Sequence, residues 1–557
     1  MSDLRFPELT QKQIALLKQY GDIECYPAEV RLFSLGEAEY DFFVILDGKV
    51  IIEDPYNPES IIIELGKNEF TGDIGTLSDR AVQFRGTAKP GSTLLRIKHN
   101  RLKEAITKHS TISDILLNTF IQRHENQLAA YIGGIKLVGS GHSKKTYDIR
   151  DFMDKNHIPY NFLDVDTNDK AEQLLKNFDL SKSDLPILIN NRGEACRNPT
   201  LEAVARYSGV LMDFEDKVFD LLIIGAGPAG LAASVYAASE GLQVVTIDAN
   251  APGGQAGKSS KIENYLGFPT GISGSDLANR AYIQAQKFGC KISIPHRAES
   301  IAHVEDHFII GATNGKVIKT KAIIAATGAN YRRLPVDNID KYEGNGVYYS
   351  ASQINISSCE DEIVGVVGGA NSAGQAALFL AEYAEKVHII VRRGDLATKM
   401  SDYLVQRIRV TENIEVHYHT EITELKGDYH LESLVMRDAE GKLTEEKITN
   451  LFTFIGATPC TEWLGGLVNT DSRGFIRTGM EIDARNLSKC EIYRNRKPQS
   501  METAIPGFFA VGDVRSESVK HVSSAVGEGS MVVSQVHRFL GEHAKQHQPM
   551  RTKARSN

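Results

Sequence analysis

An apolar run, Leu221–Ile224, ends in Gly225-Ala226-Gly227-Pro228-Ala229-Gly230, and Asp248 follows 18 positions after Gly230. A strand, a glycine turn, a helix start and a later acid make a cradle for a dinucleotide. Gly225 permits the tight turn, Gly227 lets the backbone approach a pyrophosphate, and Gly230 lets helix and strand pack closely. Pro228 and Ala229 open a helix whose N–H groups and positive dipole end face the phosphates. Asp248 is placed to accept from a ribose hydroxyl. A second run of the same kind, Ile363–Ala373, reads IVGVVGGANSA. Its turn consists of Gly368, Ala370, Asn371, Ser372 and Ala373, with alanine at the middle glycine position. A methyl at the closest approach is expected to weaken or shift a bound nucleotide. The strand VHIIV then ends in Arg392-Arg393. An NAD site carries an acid there, whereas two guanidinium groups suit a 2′-phosphate through bidentate contacts. The expected nicotinamide cofactor is therefore NADPH.

These turns need strands and helices to hold them, and the 557-residue chain is too long for one core. Residues 1–130 contain short β-rich runs (RLFSL, DFFVILDGKVIIE, SIIIELG, STLLRIK) separated by turn residues, then a helical tail. That pattern predicts a small antiparallel barrel or jelly roll. Residues 133–212 alternate strand and helix. The dinucleotide-binding part runs from 217 to 545, and 546–557 is a polar tail. The net charge of -8 leaves no electrostatic footprint for nucleic acid. The start of the chain has no apolar signal-peptide core. Leu221–Ala238 is uncharged for 18 residues, but its glycine-proline interruption predicts a buried strand, turn and helix rather than a membrane span. Six cysteines are scattered, with no two within three residues of each other. This excludes a local Cys-x-x-Cys pair and zinc-type spacing, so no metal is expected, and it fits a reducing cytoplasm.

Further motifs follow the first turn: Gly253-Gly254-Gln255, Ile262-Glu263-Asn264-Tyr265, IIAATG at Ile323–Gly328 and GFFAVGDV at Gly507–Val514. The set resembles the thioredoxin reductase family of flavoprotein disulfide reductases across about 217–543. The resemblance implies FAD at the first turn, with Gly254, Gln255 and Asn264 lining the flavin. Thr327 and Gly328 would form a turn beside it, Gly512 and Asp513 would meet the ribityl chain, and Lys520 and His521 would be a polar pair nearby. It also implies an FAD-binding domain in two parts, 217–338 and 451–545, around an NADPH-binding domain at 339–450, and a homodimer. The family places Cys-x-x-Cys after a Gly-Val-x-Tyr stretch. Here Gly346-Val347-Tyr348-Tyr349 is followed by Ser350-Ala351-Ser352-Gln353, with Ser350 and Gln353 at the thiol positions. Disulfide exchange needs a thiolate, so the internal relay is closed and no catalytic residue is assigned. The expected activity is hydride transfer from NADPH to FAD and on to an external acceptor: a protein disulfide, a quinone or an iron–sulfur carrier. The alternative is a flavin- and nucleotide-binding redox sensor with little turnover.

The second block resembles a thioredoxin or glutaredoxin fold through its βαβ order and Leu185-Pro186, but GSGHSKKT at Gly139–Thr146 stands where that fold carries its thiols. The first block resembles a cyclic-nucleotide-binding domain through FTGDIGTL at Phe70–Leu77. Gly72 would make the turn, Asp73 would take the ribose, and the cation for a cyclic phosphate would come from Arg80 or Arg85, which flank Val82. The expected fold is multidomain α/β: two Rossmann-like three-layer domains, a thioredoxin-like domain and an N-terminal β jelly roll.

Overall fold

The computed structural model describes residues 5–546, apart from 35–36, 38–39, 55–56, 79–81, 83, 131–134, 179, 191–193, 215, 260–261, 263–264, 305, 344, 350, 352–358, 489 and 491. Arg80, Asn264, Ser350, Ser352 and Gln353 therefore lie outside the described residues. Two compact units are present: one up to Asp213 together with Gln286–Pro295, the other Phe214–Ala285 and from His296 onward.

The first unit begins with two antiparallel sheets. One has the order Gly21–Tyr26, Ser92–Ile97, Phe42–Asp47, and the other Val30–Phe33, Arg85–Ala88, Val50–Asp54, Asn57–Leu65. Alternation along Phe42–Asp47 explains the packing, because successive side chains leave a strand on opposite faces. Phe43 and Ile45 join the core with Phe33, Tyr40, Val50 and Leu94. Phe42 turns the other way, onto Phe70 and onto Phe120 of the helix Ser110–Ala130. That contact fixes the helix against the turn at Gly72, where a side chain would meet Phe120 at 3.0 Å.

A third sheet in this unit has the order Ala195–Arg197, Ile187–Ile189, Ile135–Gly139, Tyr160–Asp164. The last two pair in parallel and the others antiparallel. The Leu185–Pro186 peptide is cis. Within the Gly139–Thr146 segment, Ser143 caps the helix Lys144–Lys155 by accepting from the Thr146 N–H.

The second unit is built on one mixed and one parallel sheet, as expected for a thioredoxin reductase-like α/β fold. In the first, Val218–Ile224 lies between Val244–Ile247 and Lys316–Ala325, which in turn pairs with Phe508–Ala510. Two antiparallel strands, Ala298–Val304 and His307–Ala312, extend the far edge. The second sheet has the order Val347–Tyr348, Asn450–Thr453, Ile363–Val367, Lys386–Val391, Ile414–Tyr418, and every pair in it is parallel. Central strands buried on both faces are continuously apolar, which is why LLII and VHIIV read that way. Two short strands, Ala329–Tyr331 and Ala457–Pro459, pair antiparallel where the chain passes between the two sheets. No helix among the described residues is long and apolar enough to cross a membrane.

Candidate dinucleotide sites

The first glycine turn leaves the end of the strand Val218–Ile224 and enters the helix Pro228–Ser239, with Gly227 as N-cap and Pro228 at the first helical position. Gly225 has φ +110°, a left-handed conformation that side chains disfavour. A side chain at Gly230 would meet the Gly225 carbonyl oxygen at 1.8 Å, so helix and turn touch directly. Gly227 differs: a Cβ there would find only the Gly254 Cα, at 3.9 Å. The space between Gly227 and Gly254 is a cradle that a side chain would fill. Ala229 lies against Gly512, whose added Cβ would sit 2.9 Å from the Ala229 Cβ. Asp248 stands at the end of the next strand and is already engaged. Its Oδ2 accepts from the Ala226 N–H at 2.7 Å, and its Oδ1 accepts from the N–H groups of Asn250 and Ala251. Burial pushes this carboxyl up, against the pull of the three amides. A carboxylate has about four lone-pair sites, so roughly one remains for a ribose hydroxyl.

Around this turn, Gln255 donates through Nε2 to the Ala329 carbonyl at 2.9 Å, while its buried Oε1 has no partner. A buried acceptor without a donor is costly, and a ligand N–H at this point would satisfy it. An isoalloxazine edge supplies such a donor, so Gln255 and the Gly227–Gly254 cradle both fit FAD. Thr327 donates to the Cys460 carbonyl at 2.8 Å, and Gly328 holds φ +63°. Asp513 is pushed up by burial and held back by Lys520. The Lys520 Nζ donates to the Asp513 carbonyl at 2.6 Å and sits over the Phe475 ring. His521 is exposed just before the helix Val522–Gln546.

Sequence reasoning missed Glu528, which holds this loop. Its Oε2 accepts from the Gly512 N–H at 2.7 Å, and its Oε1 accepts from Arg515 at 2.6 Å and from Ser518 at 2.9 Å. The available signal was an acid between Gly527 and Gly529 in an apolar helix. Glu528→Ala strands the Gly512 N–H and the mostly buried Arg515. We expect a loss of about 2–4 kcal/mol in urea denaturation, with FAD released more easily on dilution.

The second turn has the same layout. Gly368 has φ +141°, and a side chain there would meet the Phe454 carbonyl oxygen at 2.5 Å. Ala370 is the N-cap of the helix Asn371–Leu380, with φ -118° and ψ 178°, extended backbone that any residue adopts. Alanine is therefore unstrained here. The Asn371 Oδ1 accepts from the Ser401 N–H at 2.7 Å, Ser372 is exposed and Ala373 is buried. Arg392 and Arg393 are exposed just past the strand Lys386–Val391, and neither forms a salt bridge with any described residue. Their guanidinium groups are open to solvent beside the turn.

The sequence profile described as pyridine nucleotide-disulphide oxidoreductase matches residues 219–529, more than half of the chain. The chain belongs to this family. A 34.2 kDa protein in the rubredoxin operon of Clostridium pasteurianum is 33% identical over 328 residues, which are 59% of this chain and 99% of that protein. Thioredoxin reductase of Mycoplasmopsis pulmonis is 32% identical over 323 residues, 57% of this chain and 96% of its own length. The crystal structure of Lactococcus lactis thioredoxin reductase aligns with TM-score 0.52 at 30% identity, covering 58% of this chain and 99% of that one. The thioredoxin reductase family uses FAD and NADPH.

Family members of thioredoxin reductase type are disulfide reductases, so the thiols matter. None of the six cysteines forms a disulfide among the described residues, and Cys290 and Cys359 are buried. The Cys460 thiol is pushed up to about 11 by burial, which keeps it protonated and poorly nucleophilic at neutral pH.

The nucleotide sheet of this pyridine nucleotide-disulphide oxidoreductase also brings together three groups that sequence reasoning did not connect. His388 and His417 lie on adjacent parallel strands, with Nδ1 and Nε2 2.6 Å apart. The ligand atoms of His388, Glu415 and His417 all lie within 4.8 Å of one another, although no metal was expected from the sequence. Glu415 already pairs with Lys386 at 2.5 Å. Burial, with His417 and Lys386 beside it, lowers His388 from 6.5 to about 4. The unfolded chain then takes up this proton first, so stability falls as pH drops from about 6.5 toward 4. Urea titrations across that window are expected to show a shallower fall for His388→Gln than for the wild type.

Proposed function

We propose that the chain is an FAD-dependent oxidoreductase that takes a hydride from NADPH and passes electrons to an external acceptor without an internal dithiol. Bound FAD supplies the hydride-accepting ring, and that chemistry belongs to the cofactor. The protein's residues bind and orient. The Gly225–Gly230 turn and the helix starting at Pro228 hold the pyrophosphate, Gln255 offers its buried acceptor to the ring edge, and Asp248 keeps one lone pair for a ribose. Gly512 and Asp513, tied down by Glu528 and Lys520, close the site on the other side. At the second turn, Gly368 to Ala373 receive the NADPH pyrophosphate, and Arg392 and Arg393 receive its 2′-phosphate.

The observation that carries this reading is the pairing of two nucleotide cradles, the second with Ala370 at its middle glycine position, with Ser350 and Gln353 at the thiol positions. Serine and glutamine cannot exchange disulfides. Of the six thiols, two are buried and one is held protonated. The acceptor is a protein disulfide, a quinone or an iron–sulfur carrier. The last is the one suggested by the relative named from a rubredoxin operon. The same reading makes residues 1–130 a cyclic-nucleotide-binding-like module. It makes 133–212 a thioredoxin-fold module with no thiol in the Gly139–Thr146 segment, supported by its strand order, and the assembly a homodimer in the cytoplasm.

The deciding experiment is anaerobic. Purified protein should carry FAD, and NADPH should bleach the flavin band within seconds. A thioredoxin-coupled assay should then show no disulfide turnover, while a dye or quinone reoxidises the flavin. Steady thioredoxin-dependent NADPH oxidation would mean that cysteines meeting only in space do the work. A protein that binds no FAD would end the proposal altogether.

A further inference from the structure

The turn at Gly72 does not end in an open phosphate cradle. Arg123, on the helix Ser110–Ala130 and 51 residues away in sequence, reaches over it. Its Nη1 donates to the Gly72 carbonyl at 2.6 Å, its Nη2 to the Phe70 carbonyl at 3.0 Å and its Nε to the Arg5 carbonyl at 2.9 Å. The guanidinium also lies over the rings of Phe6 and Phe70. Arg85, by contrast, is committed to a strand, opposite Glu53. Asp73, expected to take a ribose, is committed as well. Its Oδ1 accepts from the Tyr40 hydroxyl at 2.6 Å and from the Gly75 N–H at 2.8 Å.

Behind this lies a cavity of about 370 Å³, within the roughly 300–1,000 Å³ that small-molecule sites span. Its walls include Phe33, Ile52, Ile63, Leu65, Val82 and Phe84, and Arg5, Arg123, Asn126 and Gln127 also line it. Two of the lining side chains are cationic and one, Asp73, is anionic. Arg123 has five N–H groups and gives three of them to backbone carbonyls. Burial lowers it to about 10, so it is still charged at neutral pH. A desolvated cation that no described carboxylate binds directly is stabilised by an anion. The apolar walls reward a hydrocarbon or aromatic body at about 25 cal/mol per Å² covered.

A cyclic nucleotide suits this cavity poorly. The carbonyls of Phe70 and Gly72 are turned to Arg123, and the acid for a ribose hydroxyl is held by Tyr40. We propose that the N-terminal module binds an amphipathic monoanion, a medium-chain or aromatic carboxylate, with its apolar body against Phe33, Ile52, Ile63 and Leu65 and its head on Arg123. The chain then carries a small-molecule site separate from its two dinucleotide sites, and the proposal does not depend on the electron acceptor.

Calorimetric titration of the full-length protein tests this with sodium octanoate, 1-octanol and cyclic AMP as probes. Octanoate is expected to bind at least tenfold more tightly than the other two. Arg123→Met should remove the preference of octanoate over octanol. Because Arg123 also ties down three carbonyls, Ile52→Trp gives an independent check: it fills the cavity and leaves Arg123 in place. It should weaken octanoate at least tenfold with unchanged flavin content. Equal binding of octanoate and octanol, tighter binding of cyclic AMP, octanoate binding that survives Ile52→Trp, or no octanoate binding at all would each overturn the proposal.

Discussion

Gly230→Val should yield a protein that does not hold FAD, and Gly227→Ala should yield one that folds normally yet binds FAD at least tenfold more weakly. The two glycines sit three residues apart and do different things. At Gly230 a first side-chain carbon would lie 1.8 Å from the Gly225 carbonyl oxygen, far inside contact distance. Relief requires the helix Pro228–Ser239 to move off its strand, and the core that includes Leu222 and Ile224 moves with it. Valine there is expected to cost more than about 3 kcal/mol, as overpacking against backbone does at the severe end of its range, and thermal unfolding should show it. At Gly227 the backbone is extended and the added carbon meets nothing closer than 3.9 Å. The fold should therefore keep its melting temperature within about 2 °C. Any loss of flavin must then come from the methyl occupying space meant for a pyrophosphate. Absorbance of the flavin band per protein, after gel filtration, reads both outcomes. A Gly227→Ala protein as yellow as the wild type would show that no phosphate approaches there.

The glycine turns were legible because their geometry restricts residue type. Gly225 and Gly368 adopt conformations that only glycine holds cheaply, and the flanking apolar runs announce parallel strands buried on both faces. Local chemistry was legible for the same reason: Arg392 and Arg393 sit at a strand end that can be counted from the turn. What could not be read depends on contacts distant in sequence. Glu528 finds Gly512 from the next helix, and Arg123 finds Gly72 across 51 residues. His388 meets His417 only because two parallel strands share one register. Asp248 shows the limit from the other side. Its position at the strand end was evident, but its short side chain turns back onto the Ala226 N–H, and the three amides on it follow from loop geometry that no spacing rule contains. The N-terminal block shows the same dependence on distant contacts. Its cation was sought in the segment after Gly72, where Arg80 lies outside the described residues, whereas Arg123 reaches Gly72 from a helix packed there by Phe42 and Phe120.

Replacing both Arg392 and Arg393 with alanine is expected to raise KM for NADPH about tenfold to a hundredfold and to change KM for NADH by less than twofold. The reasoning starts from position. Both side chains project just beyond the strand Lys386–Val391, where a ribose 2′-substituent falls in this kind of fold. Neither is tied into a salt bridge with a described residue. Hydrogen bonds to a charged group contribute roughly 1.5–3 kcal/mol each. Both arginines are exposed and screened by salt, so the lower part of that range applies to the pair together. The effect should shrink as ionic strength rises, and kcat should stay nearly constant because these groups bind the cofactor far from its reactive ring. Ala370→Gly supplies the internal comparison. Since Ala370 is unstrained and its methyl is common to both nucleotides, any change it brings should be equal for NADPH and NADH. Steady-state kinetics with both cofactors at two salt concentrations distinguish these cases. If the double alanine variant loses NADH and NADPH in equal proportion, the arginines serve the shared pyrophosphate or the fold, and the chain does not select for the 2′-phosphate.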